Sequence, residues 1–334
     1  MRRRRRPFTA ALCLLALLVG GAACTEPQDH KLDVVVNVYA LRWLAEQIGG
    51  DLVKVTMIEA GAHEGKLSQA DRDLIHGADA NLFALDLSED LRTALDGWRA
   101  NNPGRNQGDP AVYDISALDA LALGPGPADF QEHLLPNGLD PHFWTDPRDR
   151  MQVAGEWVKN HLVSAVGLDE VLKQEDAEDH PGKLRAKWDE VSRRLKDLDG
   201  ELKAGLGRCA GRVIVPQHPA FGYFVQTYGM RQLPVTKLLK GELPADELRR
   251  RQEELDALFA SNAKPAFFYA FDAVRIDISR DQLTDLATKY RATPRNIDSL
   301  EREPAKRKAD GSPMDYVEGM RWNADNIAKE LGCA

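Results

Sequence analysis

Short unbroken apolar runs alternate along this chain with longer stretches of helical spacing. Val34-Val35-Val36 sits in a buried strand expected over residues 33–38, and the apolar positions over 41–48 have a helical period closed by Gly49-Gly50. Further strands are expected over 53–58, 80–85 and 112–115, with helices over 68–76 and 88–98 between them. Ser68 and Asp71 have the spacing of a capping box. The rhythm resumes after residue 211: strands over 212–215, 233–236, 266–271 and 293–297 alternate with helices over 219–228, 245–262, 280–290 and 314–331. Alternation of this kind predicts parallel sheets joined by right-handed crossovers, so the expected class is α/β with two small (β/α)4 lobes.

One segment breaks the alternation. After a helix expected over 147–166 and a polar break, Leu184, Trp188, Val191, Leu195, Leu198, Leu202 and Leu206 follow at steps of 4, 3, 4, 3, 4 and 4. A single apolar stripe along some two dozen residues makes a helix of roughly 36 Å. Such a stripe also suits a coiled-coil partner. With α/β units on both sides it reads as a strut across the back of two lobes, which would span 33–182 and 207–334 with the connecting helix at 183–206. The charged, proline-containing run 301–311 reads as a mobile surface loop.

Candidate chemistry gathers at strand ends. Pro136, Pro141 and Pro147 with Gly138 forbid a continuous helix through residues 135–147, and Asp146-Pro147 reads as an N-cap followed by proline at the first helical position. His142 is therefore expected in a stiff loop. His63, His218 and Asp298 have the same context, each just after a strand or in the loop leading to the next helix. Open parallel sheets bind ligands outside the carboxyl ends of their strands, so these four can converge on one metal ion between the lobes. Each also has a plain reading, as an exposed loop histidine, a packed turn residue, a helix-start partner or a turn cap. His30, His76, His133, His161 and His180 read as tether, helix-surface or loop residues.

Composition adds the compartment. Five arginines, an apolar run over 8–19 and small residues before Cys24 make residues 1–23 a secretory signal peptide, with 24–32 a polar tether. The apolar run is too short for a comfortable membrane span. Small residues leading into Cys24 resemble a lipobox, so Cys24 is the expected lipidation site and membrane attachment, with ordinary signal cleavage as the alternative. The whole chain carries −8, and the leader holds five arginines and no acids, so the exported part carries −13. Acidity argues against nucleic acid as a partner. Cys209 and Cys333 remain, as a disulfide of an exported protein or as two buried thiols.

Val34-Val35-Val36-Asn37-Val38 and the helix after it, Gly61-Ala62-His63, Asp140-Pro141-His142-Phe143-Trp144-Thr145-Asp146-Pro147, His218-Pro219-Ala220-Phe221-Gly222-Tyr223-Phe224 and the closing helix after Asp315-Tyr316 resemble, in order, the zinc/manganese (cluster A-I) solute-binding proteins of bacterial ABC importers. The resemblance implies two α/β lobes joined by one long helix, with metal between them on His63, His142, His218 and Asp298. It implies an extracytoplasmic, periplasmic or cell-surface lipoprotein, a monomer and not an enzyme, that delivers metal to a membrane permease. Departures are present: Glu64-Gly65 follows His63 where the family has an aromatic and Glu-Pro, and Ser299 replaces a proline after Asp298. Three imidazoles and a carboxylate form a tetrahedral set suited to Zn²⁺, with Mn²⁺ the alternative. A surface adhesin on the same fold is a second reading. A zinc hydrolase using Asp298 as base is a third, without a His-Glu-x-x-His motif to support it.

Overall fold

Two parallel sheets carry the chain in a computed structural model that describes residues 30–58, 67–84, 89–103, 140, 142–174, 179–235, 245–271, 277–304 and 306–334. His63, Cys24 and the strand expected at 112–115 lie outside these residues. The first sheet has the order β2-β1-β3, from β1 (Leu32–Val36), β2 (Val53–Met57) and β3 (Ala80–Leu82). Val34 and Val36 face the main core, whereas Val35 joins Ile75, Leu91, Leu95 and Trp98 on the other side. Both faces are covered, by α1 (Tyr39–Gly49) on one and by α2 (Gln69–Gly77) and α3 (Glu89–Asn101) on the other, which is why β1 reads as an unbroken apolar run. Asn37 ends that strand. Its amide donates to the Ala84 carbonyl at 2.6 Å and its oxygen accepts from Ala84 N at 3.0 Å, replacing the next ladder rung with a side chain. The Ser68–Asp71 capping box is present at the start of α2.

The second sheet has the order β5-β4-β6-β7, from β4 (Val213–Pro216), β5 (Arg231–Gln232), β6 (Ala266–Phe271) and β7 (Arg295–Asp298). Val213, Val215 and Phe267 face an outer core with Leu255, Leu283 and Leu286, the last three from α8 (Ala245–Ala260) and α9 (Asp277–Lys289). Ile214, Phe268 and Ala270 face the main core. On that side lie α7 (Gly222–Thr227) and α10 (Tyr316–Glu330).

Between the two sheets in the sequence come α4 (Arg150–Leu168), α5 (Glu170–Gln174) and the strut α6 (His180–Leu206). Asp179 caps α6 by accepting from Gly182 N at 2.8 Å. At 27 residues the strut is about 40 Å long. Every residue of its apolar stripe is buried, against α1 and α4 on one lobe and α10 on the other. The main core consequently runs unbroken from Leu32 to Cys333, and both lobes share it. A disulfide joins Cys209, just past the end of α6, to Cys333, past the end of α10, across 124 residues with Cα atoms 5.4 Å apart. Closing so long a loop contributes about 2–5 kcal/mol.

Several boundaries differ from expectation. The helix expected from residue 147 opens at Arg150, and the one expected from 219 opens at Gly222. The strand expected over 233–236 is Arg231–Gln232. His180, expected as a loop residue in the polar break, is buried at the head of α6. The start of the run 301–311 is not a surface loop, since Leu300, Glu301 and Pro304 are buried.

Close approach of α4 to α6 depends on Gly155, where a Cβ would lie 2.0 Å from the Trp188 ring. Replacing Gly155 with alanine should therefore cost about 1–3 kcal/mol in denaturant unfolding, despite alanine's better helix propensity. An unchanged midpoint would show that the strut does not seat as closely as described.

Candidate metal centre

His142 is held before a short 3₁₀ turn, Phe143–Thr145, where its carbonyl accepts from Thr145 N at 3.1 Å and Thr145 Oγ1 at 3.0 Å. Asp146 continues the turn: its Oδ1 accepts from Arg148 N at 3.1 Å and Asp149 N at 3.3 Å. This side chain caps the turn over 147–149, which explains the late start of α4. Burial pushes the Asp146 carboxyl up, with the backbone N–H of Asp149 opposing.

The direction of the imidazole is set by Asp140. Its Oδ1 accepts from the His142 backbone N at 2.9 Å and faces Nδ1 at 2.7 Å. A ring nitrogen that donates to a carboxylate leaves the other as a lone pair, so His142 presents Nε2 as a ligand atom. His142 is fully buried.

His218 comes from the other lobe, in the connection from β4 to α7. Gln217 N extends the sheet by donating to Phe268 O at 2.8 Å, and the chain then turns, with Ala220 N donating to His218 O at 2.9 Å. This turn delays α7. The two Nε2 atoms lie 3.2 Å apart with the rings at 82°. Two nitrogens bound to tetrahedral zinc at about 2.0–2.1 Å are themselves roughly 3.3–3.4 Å apart. The pair therefore already has the spacing of zinc ligands.

A carboxylate joins them. Ligand atoms of His142, His218 and Glu301 all lie within 4.8 Å of one another, all three residues are buried, and among the described residues this is the one such group of His, Cys, Asp and Glu. Glu301 is a residue that sequence reasoning missed. It is positioned by the turn after β7. Asn323 of α10 accepts from Asp298 N and donates to Asp298 O, both at 2.7 Å. Asp298 Oδ1 then accepts from Leu300 N at 2.9 Å, Leu300 adopts a left-handed φ of 58°, and Tyr39 N of the first lobe donates to Glu301 O at 3.0 Å. Asp298 is buried but is not part of this group.

Direct contacts between lobes surround the centre. Trp144 Nε1 donates to Ser299 O at 2.7 Å, and Tyr316 OH donates to Trp144 O at 2.6 Å. Tyr223 OH of α7 donates to Asp140 O at 3.1 Å. Burial, and then the Asp140 charge, push the Tyr223 hydroxyl up to about 12, so it keeps its proton and remains a donor.

Known proteins resemble this arrangement along nearly the whole body of the chain. Residues 34–330 match the family described as ZnuA, zinc-uptake complex component A, periplasmic. The high-affinity zinc uptake system protein ZnuA of Bacillus subtilis (strain 168) is 24% identical over 340 residues, covering 97% of this chain and 96% of that protein. The AdcAII protein of Streptococcus pneumoniae superposes with a TM-score of 0.66 at 19% identity, covering 90% of this chain and 99% of that one. The laminin-binding protein Lmb of Streptococcus agalactiae, described as bifunctional with adhesin and metal transporting activity, superposes with a TM-score of 0.62 at 23% identity, covering 90% and 100%. At these identities the two structures establish a shared two-lobe fold.

Proposed function

The chain belongs to the zinc-uptake component A family, and on that premise we propose that it captures Zn²⁺ between its lobes on His142, His218 and the carboxylate turn 298–301. It is the extracytoplasmic zinc-binding component of an ABC importer, and its partner is the importer's permease. The observation that carries the site is the 3.2 Å approach of two buried Nε2 atoms from opposite lobes with Glu301 beside them. Glu301 supplies the carboxylate in this reading, and Asp298, the ligand expected from sequence, builds the turn that presents it. His63, outside the described residues, is the proposed fourth ligand.

Imidazole-rich coordination suits Zn²⁺ better than Mn²⁺, which prefers oxygen ligands. Four protein ligands close the tetrahedral shell and leave no metal-bound water to activate, so the centre captures and does not hydrolyse. Lipidation at Cys24 would tether the acidic body to the membrane as a monomer. Among the described residues no helix is long and apolar enough to cross a membrane.

Zinc titration of the purified protein and its variants tests the ligand set. His142→Ala should weaken binding by at least 100-fold, and Glu301→Gln by more than Asp298→Asn, because asparagine keeps the oxygen that accepts from Leu300 N. Equal zinc uptake by wild type and His142→Ala would overturn the site. His63→Ala should also cost orders of magnitude. A loss of only a few-fold would give that corner to water or another side chain. Protons compete for imidazole nitrogen, so affinity should fall as pH drops; a flat profile between pH 7.5 and 5.5 would count against histidine ligands.

A further inference from the structure

We propose that Gly222, with Tyr223 and Arg150, is a positioning element of the metal centre: it seats the Asp140 carboxylate against α7 and so fixes the His142 imidazole relative to His218. The inference rests on the metal reading above and names what holds its geometry. A Cβ built on Gly222 would lie 2.4 Å from Asp140 Oδ2 and 3.3 Å from Gln232 Nε2. The glycine is not there for its backbone freedom, since it is not among the residues with positive φ and it opens a helix. Alanine at a helical position is about 1 kcal/mol better than glycine. Space for the Asp140 carboxylate is what the missing side chain provides.

That carboxylate has two jobs. Oδ1 takes the His142 backbone N and faces Nδ1, and Oδ2 lies against Gly222. The Asp140 carbonyl accepts from Tyr223 OH, and the Arg150 guanidinium lies 3.4 Å above the Tyr223 ring. Arg150 is buried, and its cation is offset by Asp146, Asp140 and Asp149. His218 lies in the connection from β4 into α7, and Gly222 opens α7 four residues later. Asp140 is thus the joint at which the ligand of one lobe is referenced to the ligand of the other.

An added methyl at residue 222 would drive Oδ2 back by roughly 1 Å to reach ordinary contact distance. Because the same carboxylate directs Nδ1, the imidazole would turn with it. Losing an orienting partner of a metal-bound histidine typically costs 10–100-fold in affinity.

The test is a double-mutant cycle, with Zn²⁺ affinity measured by competition and Co²⁺ used as a spectroscopic probe on wild type, Gly222→Ala, Asp140→Ala and the double variant. Gly222→Ala should remain folded, bind zinc 10–100-fold more weakly and alter the visible Co²⁺ bands. The double variant should bind no more weakly than Asp140→Ala alone, because the methyl acts through the carboxylate. Wild-type affinity in Gly222→Ala, or losses that multiply in the double variant, would overturn the proposal. Should Gly222→Ala fail to fold, Tyr223→Phe decides: removing the hydroxyl should weaken zinc several-fold, and an unchanged affinity would overturn it. A wild type that binds no zinc would instead sink the metal reading, and this proposal with it.

Discussion

Two imidazole nitrogens from different lobes face each other across 3.2 Å in a buried space, and much of the surrounding structure exists to make that approach possible. Both cannot present protons to each other at that distance. Either one donates to the other or both lone pairs face a cation, and the proposed metal is the second arrangement. Asp140 turns one ring, the β4–α7 turn delivers the other, and the turn after β7 brings Glu301 to both. No helical His-x-x-x-His spacing could have produced this centre. It is assembled by the fold.

Assembly at this accuracy requires lobes that share a core. The strut α6 supplies it by burying one face against helices of both lobes. Arg194 on the strut adds a direct tie: it donates to Gln47 of α1 at 2.6 Å and to Asp315, the cap of α10, at 2.8 Å, with its guanidinium over Trp43. Its pairing with Asp315 is partly exposed and contributes at most about 1 kcal/mol. Its effect lies in geometry, since the three partners belong to both lobes. Together with the Trp144–Ser299 and Tyr39–Glu301 hydrogen bonds, it sets how the two ligand loops meet.

Features written in local periodicity were legible from sequence. The stripe from Leu184 to Leu206, the run at Val34 and the Ser68–Asp71 box each depend on neighbouring residues obeying one rule, and each is present. The disulfide, left open by spacing, is formed. Features that depend on tertiary contact were less legible. Pro147 suggested a helix start, but Asp146 spends its carboxylate on a turn first. Glu301 opens a charged run and looks solvated. It is buried because Leu300 takes a left-handed turn and packs where Gly319 lacks a side chain, a Cβ there coming within 2.7 Å of Leu300. A leucine between a strand end and a run of charges was the available sign. His142 and His218 stood out because proline and aromatic neighbours mark their loops, whereas Asp298 and Glu301 are both buried carboxylates of one turn, which local sequence does not separate.

Zinc K-edge X-ray absorption on the zinc-loaded protein, compared with Glu301→Gln, tests the central claim most directly. The account predicts a nitrogen and oxygen shell at about 2.0–2.1 Å, outer-shell scattering from two or more imidazoles, and a changed shell in the variant. A shell containing sulfur at about 2.3 Å, fewer than two imidazoles, or a spectrum identical in Glu301→Gln would contradict it.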